Sequence, residues 1–89
     1  MTMKFNDILF SESERFSIGI EEDSGKFYVS IPVSNRMIDY EEYFEIDKTS
    51  FDLYINNPTS ALSFVERCRK REVDNLLIIQ PGIDRGVAT

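Results

Sequence analysis

From Arg15 to Glu21 the side chains alternate, with Phe16, Ile18 and Ile20 facing one way and Arg15, Ser17, Gly19 and Glu21 the other. Successive side chains of an extended chain point to opposite faces, so this pattern specifies a strand with one apolar side. Glu22-Asp23-Ser24-Gly25-Lys26 interrupts it with turn residues. Gly25 supplies the positive φ that a hairpin loop with a bulge requires. Phe27 to Val33 then resumes the alternation, placing Phe27, Val29, Ile31 and Val33 inward. Two such segments joined by such a loop make an antiparallel hairpin. Pro32 cannot donate to a ladder, so its missing N–H is expected to face an edge, a bulge or the strand end.

The neighbouring segments extend the sheet and then change period. Lys4 to Phe10 reads as an edge strand, and Ser34-Asn35-Arg36 as a second turn. Ile38 to Ile46 reads as a further strand with Ile38, Tyr40, Phe44 and Ile46 inward. Glu42 falls on that apolar face, so either a bulge re-phases the strand near Glu41 and Glu42 or Glu42 points inward near an edge. From Asp47 onward the apolar spacing is helical. Asp47 is a good N-cap for a helix to about Ile55 that buries Phe51, Tyr54 and Ile55. Asn57-Pro58 ends it and starts a second helix, carrying Ala61, Leu62, Phe64, Val65 and Cys68 to about Glu72. Val73 to Gln80 contains the apolar run Leu76-Leu77-Ile78-Ile79 and reads as a buried strand, stopped by Pro81-Gly82. The expected architecture is α+β: an antiparallel β-meander of about three to five strands, then two helices and a final short strand. Residues 1–89 make a single domain, with about 83–89 a loose C-terminal tail. Phe16, Ile18, Val29, Ile31, Phe51 and Val65 are expected in the core.

Composition narrows the function. A chain of 89 residues matches one domain, and 42% hydrophobic residues, with seven Phe and four Tyr, supply a packed interior. Sixteen acidic against ten basic residues leave a net charge of −6, which repels phosphate backbones and disfavours nucleic acid as a partner. A single cysteine excludes an internal disulfide, and the absence of histidine removes the usual zinc ligand sets. No metal or other cofactor is expected, nor a phosphate-binding loop. Cys68 lies in the apolar helix stripe with no histidine to activate it, so no catalytic residue is assigned and an enzyme is not expected. The N-terminus lacks the features of a secretory signal, and no stretch approaches the roughly 20 apolar residues that span a bilayer. A cytoplasmic location with no membrane association is the expectation.

The densest polar feature is Asp39-x-Glu41-Glu42-x-x-Glu45-x-Asp47, interleaved with Tyr40, Tyr43 and Phe44. In a strand, Asp39, Glu41, Tyr43 and Glu45 project from one face as a stripe about 20 Å long. Such a stripe is an ordinary solvated sheet surface or an acidic recognition surface. Like charges so close repel, and a basic partner would offset them. A carboxylate metal or catalytic site has no pocket-forming loop to support it. Arg67 to Arg71 form the one basic run, read as a solvated helix end. At the C-terminus, Gln80-Pro81-Gly82 is a turn followed by adjacent Asp84 and Arg85, and Arg85 is a candidate exposed anchor for a partner.

The run Ser30-Ile31-Pro32-Val33-Ser34-Asn35, leading into Asp39-Tyr40-Glu41-Glu42-Tyr43-Phe44-Glu45-Ile46, resembles small bacterial proteins that include immunity proteins of toxin–immunity pairs. Phe64-Val65-Glu66-Arg67-Cys68-Arg69 and Gln80-Pro81-Gly82 share in that resemblance. It implies a cytoplasmic inhibitor that blocks a basic toxin domain, often a nuclease. The expected function is therefore non-enzymatic protein binding through Asp39, Glu41, Tyr43, Glu45 and Arg85. The rival expectation is a small housekeeping or adaptor domain, compatible with a homodimer.

Overall fold

The computed structural model describes residues 3–82 and 85–89. Four strands, β1 (Phe5–Ser11), β2 (Phe16–Glu21), β3 (Lys26–Ser34) and β4 (Asp39–Ile46), form an antiparallel meander in chain order. Two helices follow, α1 (Lys48–Asn56) and α2 (Leu62–Arg69), and then a two-residue strand, β5 (Val87–Ala88). The fold is α+β. The central hairpin has the register that the alternation requires, with Ile18 opposite Val29 and Ile20 opposite Phe27. Gly25 turns the chain at φ +75. β3 runs past the start of β2, and β5 takes the open side, with Val33 opposite Ala88 and Ser34 opposite Val87. Pro32 O accepts from the Thr89 N–H at 3.2 Å on that side. N–H and C=O of one strand residue point the same way, so the donor that Pro32 lacks is one β4 does not need.

The helices pack on one face of the sheet. Phe16, Ile18, Val29, Ile31, Val33, Phe44 and Ile46 meet Ala61, Val65, Cys68, Val73 and Leu77 in the core, and Phe51 is half-buried against it. Asp47 caps α1 as expected, its Oδ1 accepting from the Ser50 N–H at 2.7 Å. Pro58 opens a 3-10 turn, Pro58–Ala61, and α2 proper begins at Leu62. α2 stops three residues before Glu72 because Arg71 adopts φ +60. The Arg71 N–H donates to Cys68 O at 3.1 Å and the Glu72 N–H to Arg67 O at 3.0 Å, the paired bonds of a Schellman C-cap. Arginine holds a position that usually favours glycine, and its Nη2 donates to Gly86 O at 2.7 Å.

Three expectations need correction, and the open choice at Glu42 is decided. Ile38 is not inward: it is 60% exposed, because Asn35 Oδ1 accepts from the Met37 and Ile38 N–H groups at 2.8 and 2.9 Å and extends the turn to the start of β4. No bulge re-phases β4, whose register with β3 is unbroken from Phe27–Ile46 to Ser34–Asp39, so Glu42 points into the helix-covered face. Val73 to Gln80 is not a strand. Asp74–Leu76 forms a 3-10 turn, and only Leu77 bridges to Phe44, while Ile79 is 51% exposed. The final short strand is instead Val87–Ala88. Of the expected loose tail, Ile83 and Asp84 lie outside the described residues, but Arg85 to Thr89 pack back onto the sheet.

Candidate functional site

Asp39, Glu41, Tyr43 and Glu45 share the face of β4 turned away from the helices. Across the strands the same face carries Tyr28 and Ser30 of β3, Ser17 and Gly19 of β2, and Phe5 and Asp7 of β1. It is not a plain solvated surface, since Tyr28, Ser30 and Ser17 are 0%, 1% and 3% exposed. Aromatic rings cover it. Phe5 and Tyr43 stack with centroids 3.7 Å apart and 12° between planes. Tyr28 meets both edge-on, at 5.4 and 5.0 Å. Two strands separate β1 from β4, so the sheet curls for these rings to touch. Gly19 makes room: a Cβ there would sit 2.5 Å from Tyr28 Oη and closer still to Asn6 O. Tyr28 crosses over it and donates its hydroxyl to Asp7 Oδ1 at 2.6 Å. Desolvation, reinforced by that bond, pushes the Tyr28 phenol far above its ordinary range. Tyr43 is thus half-buried in an internal cluster instead of presenting its whole ring outward.

The carboxylates of the stripe differ from one another. Glu45 faces Lys26 at 3.7 Å, an exposed pair of little energetic weight. Among the described residues no Lys or Arg nitrogen lies within 4 Å of Asp39 or Glu41. The Glu41 carboxyl is held above its usual range chiefly by desolvation, with Asp7 adding to the rise, while Ser30 and Arg15 pull the other way. Ser30 Oγ is buried and closes no hydrogen bond of normal length and angle. Beside these groups Met37 is 85% exposed, and a shallow groove follows the outer edge of β4 between Tyr40–Tyr43 and Ile79–Gly82.

Arg85 is not an exposed anchor, as its side chain is only 14% exposed. Its Nε and Nη2 donate to Glu42 at 2.7 and 2.9 Å, and its Nη1 and Nη2 to Asp74 at 2.7 and 3.0 Å. One planar guanidinium therefore serves two carboxylates bidentately and neutralises the buried Glu42. The Arg85 hydrogen bond holds the Asp74 carboxyl below its usual range. Next to this clamp the Gly86 N–H donates to Tyr40 Oη at 2.6 Å. The basic run is dispersed: Arg67 faces Glu72, Arg69 donates to Glu14 O and Arg71 to Gly86 O. Burial pushes the Cys68 thiol up to about 12, which keeps it protonated and unreactive.

Sequence reasoning missed Asp7, Tyr28 and Ser30 as members of the outer face. A signal was present, because a glycine in mid-strand at Gly19 marks a place where another group approaches closely. The pairing of Gly19 with Tyr28 needs the register to be known. Among the described residues no group of three or more His, Cys, Asp or Glu is placed to hold a metal ion. No helix of the described residues is long and apolar enough to cross a membrane. Compared with known protein families, curated proteins and solved structures, the chain matches none of them.

Proposed function

We propose that the protein is a non-enzymatic binding domain of the immunity type, which lays the Asp39–Glu45 face on a basic surface of a protein partner such as a nuclease toxin domain. The observation that supports it best is the pair Asp39 and Glu41, which no cation of the described chain approaches within 4 Å, beside the exposed Met37 and Ile38. Uncompensated charge next to apolar surface suits a partner that brings the opposite charge and buries the apolar rim. Inhibition would be steric and electrostatic, with carboxylates standing where the phosphates of a substrate would. Tyr43 supports the face from within, and Arg85 holds the C-terminal segment behind it.

The test is the triple change Asp39→Ser, Glu41→Ser and Glu45→Ser, with a partner captured by pull-down. The folded state should persist, because exposed carboxylates add little to stability. Association should slow about tenfold or more and lose most of its salt dependence. Unchanged affinity and association rate would overturn the reading. A second reading, a homodimeric adaptor domain, draws on β1: it is an edge of the sheet with Ile8 51% and Phe10 65% exposed. An open apolar edge is a surface through which two copies pair. Sedimentation showing a dimer that Phe10→Lys dissociates would favour it.

A further inference from the structure

β1 and β4 run in opposite directions, so stepping from Phe5 to Asp7 and from Tyr43 back to Glu41 moves the same way along the sheet. The stacked rings of Phe5 and Tyr43 bring the two edges together, which leaves the Asp7 and Glu41 carboxylates at the same end of the stack. The charge of Asp7 reaches Glu41, where it contributes to the upward shift of that carboxyl. Asp7 uses Oδ1 for the Tyr28 hydroxyl. Ser30, on the same face and 1% exposed, has a hydroxyl that lies near Glu41 without a completed hydrogen bond. Two carboxylates on the surface, a buried unpartnered donor and aromatic rings converge here, where no Lys or Arg of the described residues makes an ion pair.

We infer that Asp7 and Glu41 form a niche for one lysine side chain of the protein partner, whose ammonium bridges the two carboxylates at the end of the Phe5–Tyr43 stack while the Ser30 hydroxyl fixes Glu41 from below. This rests on the acidic-face reading and names the contact within it. An ammonium is a compact charge with three diverging donors and can join carboxylates that do not share a plane, whereas a guanidinium joins two only when both meet its own plane, as Glu42 and Asp74 do around Arg85. The groups that face Glu41 are Asp7 of β1, Tyr28 and Ser30 of β3, Tyr43 of β4 and Arg15 of the β1–β2 turn. Arg15 Nη2 donates to Thr89 Oγ1 at 3.0 Å, and Arg15 makes no ion pair with Glu41. Docking a cation reverses the balance at Glu41 by favouring its charged form.

The experiment titrates the full chain with hexalysine and with hexaarginine at low ionic strength, following carboxyl and aromatic resonances by NMR. With hexalysine the titration midpoint of Glu41 should fall and the Phe5 and Tyr43 ring signals should shift. Glu41→Gln should weaken hexalysine binding about tenfold and Ser30→Ala severalfold, while Asp39→Asn, an equal change of charge, costs less than Glu41→Gln. Thermal unfolding confirms that each variant is folded. Equal losses for Glu41→Gln and Asp39→Asn, with Ser30→Ala neutral, would overturn the niche yet leave the acidic face as a diffuse field. A midpoint fall at Glu41 with hexaarginine as large as with hexalysine would overturn the assignment to lysine. No hexalysine binding by the parent would overturn the niche, and the triple variant against the captured partner would then decide the broader reading separately.

Discussion

Glu21 shows how much one side chain can set at a strand end. Its carboxylate is buried and accepts from the N–H groups of Lys4, Asp23 and Ser24 at 2.7, 3.0 and 2.8 Å, tying β1, β2 and the hairpin loop together. The Ser24 hydroxyl and the Lys4 N–H are the leading causes that lower its pKa from 4.5 to about 2. A folded pKa below the unfolded one stabilises the native state above pH 4.5, and that stability is lost as pH falls toward 2. Asp47 and Asp74 shift in the same direction. Thermal unfolding against pH should therefore show the parent losing stability over this window, and Glu21→Gln should flatten the loss; identical profiles would exclude Glu21 as its source. Glu41 has the opposite sign. Its raised pKa is a penalty on the native state once the carboxyl ionises, so Glu41→Gln should raise the melting temperature at neutral pH. Gly19→Ala should cost about 1–3 kcal/mol in urea denaturation, since the added methyl must displace Tyr28 or β1.

Among the elements, α1 depends most on its ends. None of its residues is fully buried, and it docks through half-buried Phe51, Tyr54 and Ile55, with the Phe27 and Phe51 rings 4.5 Å apart. A nine-residue helix is far too short to be stable alone, so packing and capping share the work. Asp47→Ala should cost about 1 kcal/mol and speed hydrogen exchange of the first-turn amides, including that of Ser50. Exchange rates unchanged by the substitution would show that packing alone sets the start of the helix. α2 ends by a different device, because Arg71 in the left-handed conformation closes the C-cap and points its side chain at the backbone of Gly86. A helix terminus is thereby joined to the C-terminal segment.

At the scale of the whole molecule, the Glu42–Arg85–Asp74 cluster links the sheet, the turn after α2 and the chain end. Glu42 has a side chain only 6% exposed, so removing its partner strands a charge inside the fold. Arg85→Ala should destabilise the protein by about 3–5 kcal/mol in urea denaturation. Combining Glu42→Leu with Arg85→Leu should recover most of that loss, as apolar groups of similar volume need no counter-ion. An Arg85→Ala protein as stable as the parent would show that the clamp contributes nothing. The same cluster keeps β5 beside β3, and with it the far side of the β3–β4 hairpin whose turn presents Met37 and Ile38.

The α+β order, the β2–β3 hairpin, the Asp47 cap and the common face of Asp39, Glu41, Tyr43 and Glu45 were legible in the sequence. Each depends on a local rule: a period of two or 3.6 residues, a glycine in a turn, a carboxylate before a helix. The orientation of Glu42, the burial of Arg85 and the aromatic cover over Ser30 were not legible. They depend on contacts between residues 21 to 43 positions apart, as in Tyr28 with Asp7 and Arg85 with Glu42. Val73 to Gln80 misled for the same reason, since an apolar run reads alike whether it pairs along its length or inserts one side chain, Leu77, against Phe44. The sequence by itself determined which residues share a face of each strand. Only the tertiary structure decided which of those faces is filled, because sheet curvature brings β1 and β4 together and the chain end returns to neutralise a buried carboxylate.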